Sequence, residues 1–123
     1  MLSGITVAKI GGNEIDDAIW LERLARAVAQ RSTPLVLVHG GGREVTELQR
    51  TLGAEPEWRD GLRVTTPEAL RAVSMVLSGL VNKRLAALLI GAGVEAVGVS
   101  GEDGALLRAE PARGGGLGLT GEI

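Results

Sequence analysis

The sequence VAKIGG places a lysine two residues before a pair of glycines. Lys9 lies inside an otherwise apolar run, where a lysine is costly unless an anion pairs with it. Gly11 and Gly12 end that run, and glycines after a buried strand let backbone N–H groups approach a ligand. An amine that reaches solvent from the strand end is the alternative. We favour a site in which these three residues bind phosphate and Lys9 stabilises a transferring phosphoryl group.

The sequence LVLVHGGG repeats this arrangement on a second apolar run. A helical pattern follows Gly41 and Gly42, and a helix N-terminus adds partial positive charge to their free N–H groups. A tight strand-to-helix turn is the alternative, but two glycine clusters together favour an anion site. His39 is the only histidine and the chain has no cysteine. We therefore interpret His39 as a strand-end residue with a local hydrogen bond, and we predict no metal ligands.

Arg63 is the third candidate residue. It follows Asp60-Gly61, a dipeptide typical of the two-residue turns of β-hairpins. A guanidinium group matches a carboxylate with two parallel hydrogen bonds, so Arg63 is suited to binding a carboxylate ligand. A solvated side chain after a turn is the alternative.

The hydrophobic pattern predicts an α/β domain with a mainly parallel sheet. Strands over 4–10 and 35–38 alternate with helices over 16–31 and 43–52. The run at 35–38 is apolar at every position, which is typical of a parallel strand covered by helices on both faces. A right-handed crossover makes the two strands parallel, so both glycine clusters lie at the carboxyl edge of the sheet.

The rest of the chain predicts further elements and then a glycine-rich end. Thr66 and Pro67 are typical of a helix N-terminus. We expect that the chain is cut short, because it stops within a glycine-rich, partly apolar segment. The predicted elements are a hairpin over 57–65, a helix from Thr66 to about Leu89 with a break at Gly79, and strands over 94–100 and 105–110.

Composition limits the class of protein. The chain has 123 residues, enough for one domain, and a formal charge of −2 with a pI near 5.4. An acidic chain is not expected to bind nucleic acid. We see no signal peptide and no apolar run long enough to cross a bilayer, so we expect a cytoplasmic protein without membrane contacts.

At this point the sequence resembles the acetylglutamate kinases of the amino-acid kinase family. The segments VAKIGG, PLVLVHGGGREV, DGLRVTTPEAL, VNKRL and AVGVSGEDGALL fall in that family's order and spacing over nearly the whole chain. The resemblance implies a three-layer α/β/α sandwich. It also implies transfer of the ATP γ-phosphoryl group to the side-chain carboxylate of N-acetyl-L-glutamate, a step of arginine biosynthesis, with Mg²⁺ as the nucleotide complex.

The resemblance also implies a role for each candidate residue. Lys9 resembles the family's N-terminal catalytic lysine. Thr46 stands where the family has an asparagine, and we expect this to change only local packing. The binding residues that the resemblance implies are the phosphate loop at Gly11 and Gly12, the substrate loop at Gly41 and Gly42, and the carboxylate clamp at Arg63.

The main departure from the family is length, because its enzymes are roughly twice as long. Residues 1–123 resemble the single domain that binds the acyl amino acid, and the nucleotide-binding half with a second lysine is absent. We therefore expect little turnover by this chain alone. The resemblance further implies a homodimer formed through the helix that starts at Thr66, with an apolar stripe over residues 70–77.

Two alternatives stay open. One is a binding or dimerisation module without catalysis, which would bind a ligand or self-associate without forming ADP. The other is a kinase for carrier-bound aminoadipate in lysine biosynthesis, although the segment DGLRVTT argues against it.

Overall fold

Two parallel strands form the centre of the fold in the computed structural model, which describes residues 4–123. Strand β1 spans Thr6–Ile10 and strand β2 spans Leu35–His39. Their register pairs Thr6 with Leu35 and Ile10 with His39. The predicted α/β class with a parallel sheet is confirmed. The first two residues of the strand predicted over 4–10 lie outside β1.

Two helices connect β1 to β2, and a third follows β2. Helix α1 spans Gly12–Ile15, α2 spans Ala18–Ala29 and α3 spans Gly42–Thr51. The single helix predicted over 16–31 was wrong at its start. Asp17 acts as an N-cap there, because its Oδ1 accepts a hydrogen bond of 3.0 Å from the Trp20 N–H.

A β-hairpin comes next, as the Asp60-Gly61 dipeptide predicted. Strand β3 spans Glu57–Arg59 and pairs antiparallel with β4, which spans Leu62–Val64. Asp60 and Gly61 have φ values of 49° and 78°. Positive φ at both central residues is the geometry of a type I′ turn, whose twist matches that of paired strands.

One continuous helix, here named the long helix, spans Pro67–Gly91. It consists of α4 (Pro67–Val73), a π-helical segment (Ser74–Val81) and α5 (Asn82–Gly91). The Thr66 hydroxyl accepts a hydrogen bond of 3.1 Å from the Ala69 N–H, which confirms the predicted cap. The predicted break at Gly79 was wrong, because π-helical hydrogen bonding continues through it.

The long helix also corrects an expectation about membranes. By length and apolar composition it is long enough to cross a bilayer, so the expectation that no such segment exists was wrong. The core helix of a soluble protein passes the same test. This helix packs Val76, Val81, Leu85 and Leu89 into the core of the domain.

The strand predicted over 94–100 does not form. Burial alternates along these residues as it would in a strand, but a cavity of about 410 Å³ separates them from β2. The side chains of Asn82 and Lys83 donate hydrogen bonds to the carbonyls of Val99 and Gly98. The segment therefore lies beside the sheet without the backbone pairing that defines a strand.

The strand predicted over 105–110 was also wrong for most of its length. A 3₁₀ turn spans Asp103–Ala105, and the Leu107 N–H donates to the Gly101 carbonyl at 2.8 Å, which closes a loop. Strand β5 begins only at Glu110 and spans Glu110–Pro111. It pairs antiparallel with β6, Gly121–Glu122, across a second 3₁₀ turn at Ala112–Gly115.

The hydrophobic core lies on one face of the two-stranded sheet. Ile10 on β1 packs there with Leu21 and Ala25 of α2, Val45 of α3 and the long helix. The opposite face, here named the valine face, is exposed. It carries Val7, Val36 and Val38, which are 67%, 48% and 46% exposed. Among residues 4–123, helices cover one face of β2, which differs from the two covered faces that its apolar run predicted.

Candidate functional site

The two glycine clusters follow neighbouring strands and begin side by side at the end of the sheet. Ile10 pairs with His39 at the carboxyl ends of β1 and β2, so Gly11 and Gly40 begin adjacent loops. Each loop runs directly into a helix, α1 from Gly12 and α3 from Gly42. This is the edge at which open α/β sheets bind ligands, as the order of elements predicted.

Lys9 occupies a different environment from the one its sequence context suggested. It pairs with Val38 in the sheet register, and its residue is exposed rather than buried. Because side chains alternate along a strand, Lys9 lies on the valine face with Val7. No acidic partner lies within ion-pair distance of Lys9 among residues 4–123. The amine is therefore accessible to an anion without breaking an existing pair.

Gly41 is the most constrained glycine of the second loop. Its φ of 155° favours glycine, and a Cβ there would come within 2.9 Å of Leu77 and 3.1 Å of Val81 on the long helix. Its carbonyl accepts the first hydrogen bond of α3, from the Val45 N–H at 3.1 Å. The loop is thus held against the core at one point while Gly42 is exposed.

An ion-pair cluster ties the two loops together. Arg84 of α5 binds both carboxylate oxygens of Glu44 in α3, at 2.6 and 3.2 Å. Arg43 lies 3.7 Å from Asp16, which follows α1. The hydrogen bond from Arg84 lowers the pKa of Glu44, although partial burial acts in the opposite direction. Glu44 therefore stays ionised to more acidic pH and keeps the start of α3 in place.

Arg63 is brought to the start of α3 by several contacts. Its guanidinium donates hydrogen bonds of 2.8 Å to Gln49 Oε1, 2.8 Å to Thr46 Oγ1 and 3.3 Å to the Gly42 carbonyl. Its central carbon lies 4.5 Å from the ring centroid of Trp58, a cation–π contact. Burial lowers the pKa of this guanidinium, which remains a cation at neutral pH. Thr46, the residue expected to differ from the family's asparagine, therefore contacts Arg63 directly.

The glycine-rich C-terminal segment also supports Arg63, and sequence analysis missed this. The Thr120 hydroxyl donates to the Arg63 carbonyl at 2.6 Å. Thr65 exchanges backbone hydrogen bonds with Leu117 and Leu119, and Leu117 is 1% exposed. The one available signal was the isolated Leu117 among glycines, which indicates a buried apolar side chain without showing where it packs.

No cluster of three or more His, Asp or Glu side chains suited to a metal ion occurs within residues 4–123. Glu44, the acidic residue in the first turn of α3, is engaged by Arg84.

The fold and these residues define the class to which the chain belongs. Residues 4–122 match the amino acid kinase family, and the chain is a member of it. This confirms the resemblance to the amino-acid kinase family, which was based on the segments that contain the glycine clusters and Arg63.

The relatives within that family are acetylglutamate kinases. One from Chloroflexus aurantiacus is 44% identical over 99% of this chain and 49% of its own length. One from Roseiflexus castenholzii is 52% identical over 83% of this chain and 39% of its own. The chain thus spans about half the length of the curated relatives it matches.

Solved structures show the same likeness. A protein from Streptococcus mutans superposes with a TM-score of 0.63 at 30% identity, covering 80% of this chain and 40% of that one. An N-acetylglutamate synthase from Neisseria gonorrhoeae, solved with coenzyme A and N-acetyl-glutamate, gives a TM-score of 0.60 at 31% identity. It covers 76% of this chain and 22% of that protein.

Proposed function

We propose that this chain is the acceptor-binding part of an acetylglutamate kinase. The observation that carries the proposal is the position of Arg63, whose guanidinium reaches Gly42 at the start of α3. A carboxylate-binding cation and a glycine loop thereby meet at the carboxyl edge of the sheet. N-acetyl-L-glutamate has two carboxylates, one for a clamp and one to accept phosphate.

In the proposed reaction an oxygen of the acceptor's side-chain carboxylate attacks the γ-phosphorus of ATP. The bond from that phosphorus to the β,γ-bridging oxygen breaks, and ADP leaves with the electron pair. An acyl phosphate remains on the acceptor. In this proposal Gly11, Gly12 and the accessible amine of Lys9 neutralise the phosphoryl oxygens, and Gly41 and Gly42 donate N–H groups to the acceptor. Mg²⁺ is carried by the ATP phosphates and offsets their charge.

Two features support binding without turnover in this chain alone. The curated relatives are about twice as long, so half of their polypeptide has no counterpart here. Transition-state stabilisation of phosphoryl transfer depends on several correctly placed cations. Lys9 is the one lysine on the strands that lead into the glycine loops. The other lysine of the chain, Lys83, lies on α5, where its amine donates to Asn82 and to the Gly98 carbonyl. Cytoplasmic location and homodimer formation belong to the same proposal.

Calorimetric titration with N-acetyl-L-glutamate tests the proposal, with L-glutamate as the control ligand. Arg63→Ala is expected to weaken binding at least about tenfold, since it removes a charged partner. Arg59→Ala is the matched control, because Arg59 lies in the same hairpin but bonds Glu57 and the Gly116 carbonyl. Arg59→Ala is expected to leave affinity unchanged.

The two alternatives give different results in the same titration. Preference for an aminoadipate-type acceptor would favour the lysine-biosynthesis kinase. The 44–52% identity to acetylglutamate kinases argues against that alternative. Failure of a folded chain to bind either acceptor, together with self-association, would favour a module without catalysis.

A further inference from the structure

A partly buried polar cluster joins the end of β2 to the segment over 94–100. His39 ends β2, and its Nδ1 lies 3.0 Å from the Gly40 carbonyl oxygen. Its Nε2 lies 3.2 Å from Nδ2 of Asn82, a buried residue at the start of α5. Asn82 and Val99 line both neighbouring cavities together with His39. The cluster therefore forms the wall between them.

The orientation of the Asn82 amide is fixed by two other partners. Lys83 Nζ, which can only donate, lies 3.0 Å from one end of the amide, so that end is the oxygen. The Val99 carbonyl, which can only accept, lies 3.2 Å from the other end, so that end is the nitrogen. A Cβ at Gly98 would overlap the Asn82 oxygen, so only glycine leaves the amide this position.

This orientation determines where the proton of His39 resides. An amide nitrogen donates, so His39 Nε2 must accept and carries no proton. The proton of the neutral ring is then on Nδ1, which donates to the Gly40 carbonyl. A peptide unit is planar and trans, so the carbonyl of Gly40 and the N–H of Gly41 point in opposite directions. The hydrogen bond from His39 therefore sets the direction of the Gly41 N–H.

We propose that Asn82 and His39 are positioning residues for the glycine loop. Asn82 holds His39 as the Nδ1-protonated tautomer, and His39 in turn orients the peptide that presents the Gly41 N–H. The other tautomer, with its proton on Nε2, would place two donors face to face and does not fit this arrangement. The consequence for acceptor binding rests on the proposed function, whereas the tautomer and the loop orientation do not.

Ionisable side chains from neighbouring elements line the two cavities beside the ring. Lys83 of α5 approaches it through the amide of Asn82. The remaining ionisable groups lie on the walls of the two cavities that His39 lines, namely Arg31, Glu95 and Glu102.

Nuclear magnetic resonance of the 123-residue chain tests the proposal without any ligand. His39 is the only histidine, so its ring nitrogen signals are unambiguous. We expect Nδ1 to be protonated and Nε2 unprotonated at neutral pH. We also expect His39→Gln to move the Gly41 amide signal, because it removes the ring that orients this peptide. An Nε2-protonated ring, or a Gly41 amide signal that is unchanged in His39→Gln, would overturn the proposal.

Variants at Asn82 give a second readout. Asn82→Asp supplies an acceptor opposite Nε2, so we expect the proton of the neutral ring to move from Nδ1 to Nε2. Ser78→Asp is the control, because it adds a carboxylate to the same cavity wall without contacting the ring. Equal ring spectra in both variants would contradict the assignment to Asn82. If the predicted tautomer is found but N-acetyl-L-glutamate does not bind, the proposed function fails and the positioning role stands.

Discussion

At the scale of single residues, Gly41 tolerates an added side chain less well than Gly42 does. Gly41→Ala forces a side chain into a φ of 155° and against Leu77 and Val81. We expect a loss of about 2–4 kcal/mol in the free energy of unfolding, from backbone strain and overpacking. Gly42→Ala is the control, since its Cβ would meet nothing within 4 Å, and its effect should stay within about 0.5 kcal/mol. Urea denaturation measures both.

Glu44 makes stability depend on pH on the acid side. Its pKa is lowered in the folded state, so its contribution is fully present above the unfolded value and is lost as pH falls through the folded value. Glu44→Gln should reduce the free energy of unfolding at pH 7 by about 1 kcal/mol, because the Glu44 side chain is 18% exposed. The difference from the unsubstituted chain should shrink below about pH 4.

Glu22→Gln is the control for that experiment. Glu22 pairs with Arg26 on α2, but these side chains are 61% and 75% exposed. A solvent-exposed pair of this kind contributes little to the free energy of unfolding. The stability of Glu22→Gln should therefore follow the same curve against pH as that of the unsubstituted chain. A Glu44→Gln profile parallel to that of the unsubstituted chain would show that the bond to Arg84 has no stabilising effect.

The local sequence predicted where the candidate residues lie better than it predicted how buried they are. Gly41 and Arg63 lie where the spacing placed them, because turn and strand-end glycines encode local geometry. Lys9 was expected to be buried because its strand is apolar, yet it is exposed. Whether a strand face is covered depends on elements that are distant in sequence. The segment VAKIGG alone therefore does not predict it.

At the scale of secondary structure elements, two glycines should respond to alanine with opposite signs. Gly79 lies within the long helix, where a Cβ finds only ordinary contact with the Ser74 carbonyl at 4.0 Å. Gly79→Ala should stabilise the chain by about 0.5–1 kcal/mol through helix propensity. Gly61→Ala should destabilise it by about 1 kcal/mol, because Gly61 has a φ of 78° in the hairpin turn. Thermal unfolding compares them, and a gain in both would refute the turn assignment.

Elements with local signals were predictable, and elements that need a partner were not. The Asp60-Gly61 turn and the Thr66 cap are encoded within a few residues, and both are confirmed. The apolar alternation over 94–100 has the period of a strand, but backbone pairing requires a neighbour within about 5 Å. A cavity lies between this segment and β2 instead.

At the scale of the whole molecule, β2 has no second partner strand among residues 4–123, and this edge and the exposed valine face favour association. Exposed sheet edges with apolar side chains invite pairing with other chains. We expect light scattering to show a molecular mass that rises with concentration. Val36→Lys with Val38→Lys should reduce that rise, whereas Leu52→Lys, on the exposed end of α3, should not. A monomer at all concentrations would contradict this expectation.

The docking of the C-terminal segment on the hairpin also dictates an order of events during folding. Thr120 contacts Arg63 across 57 positions of sequence, so this contact closes one of the longer loops in the chain. The strands, α3 and the hairpin can all form from nearer neighbours as the polypeptide is synthesised. Arg63 gains its contact with Thr120, in addition to those with α3, only after residue 120 has left the ribosome. The surroundings of Arg63 are therefore complete only after the C-terminal segment has docked on the hairpin.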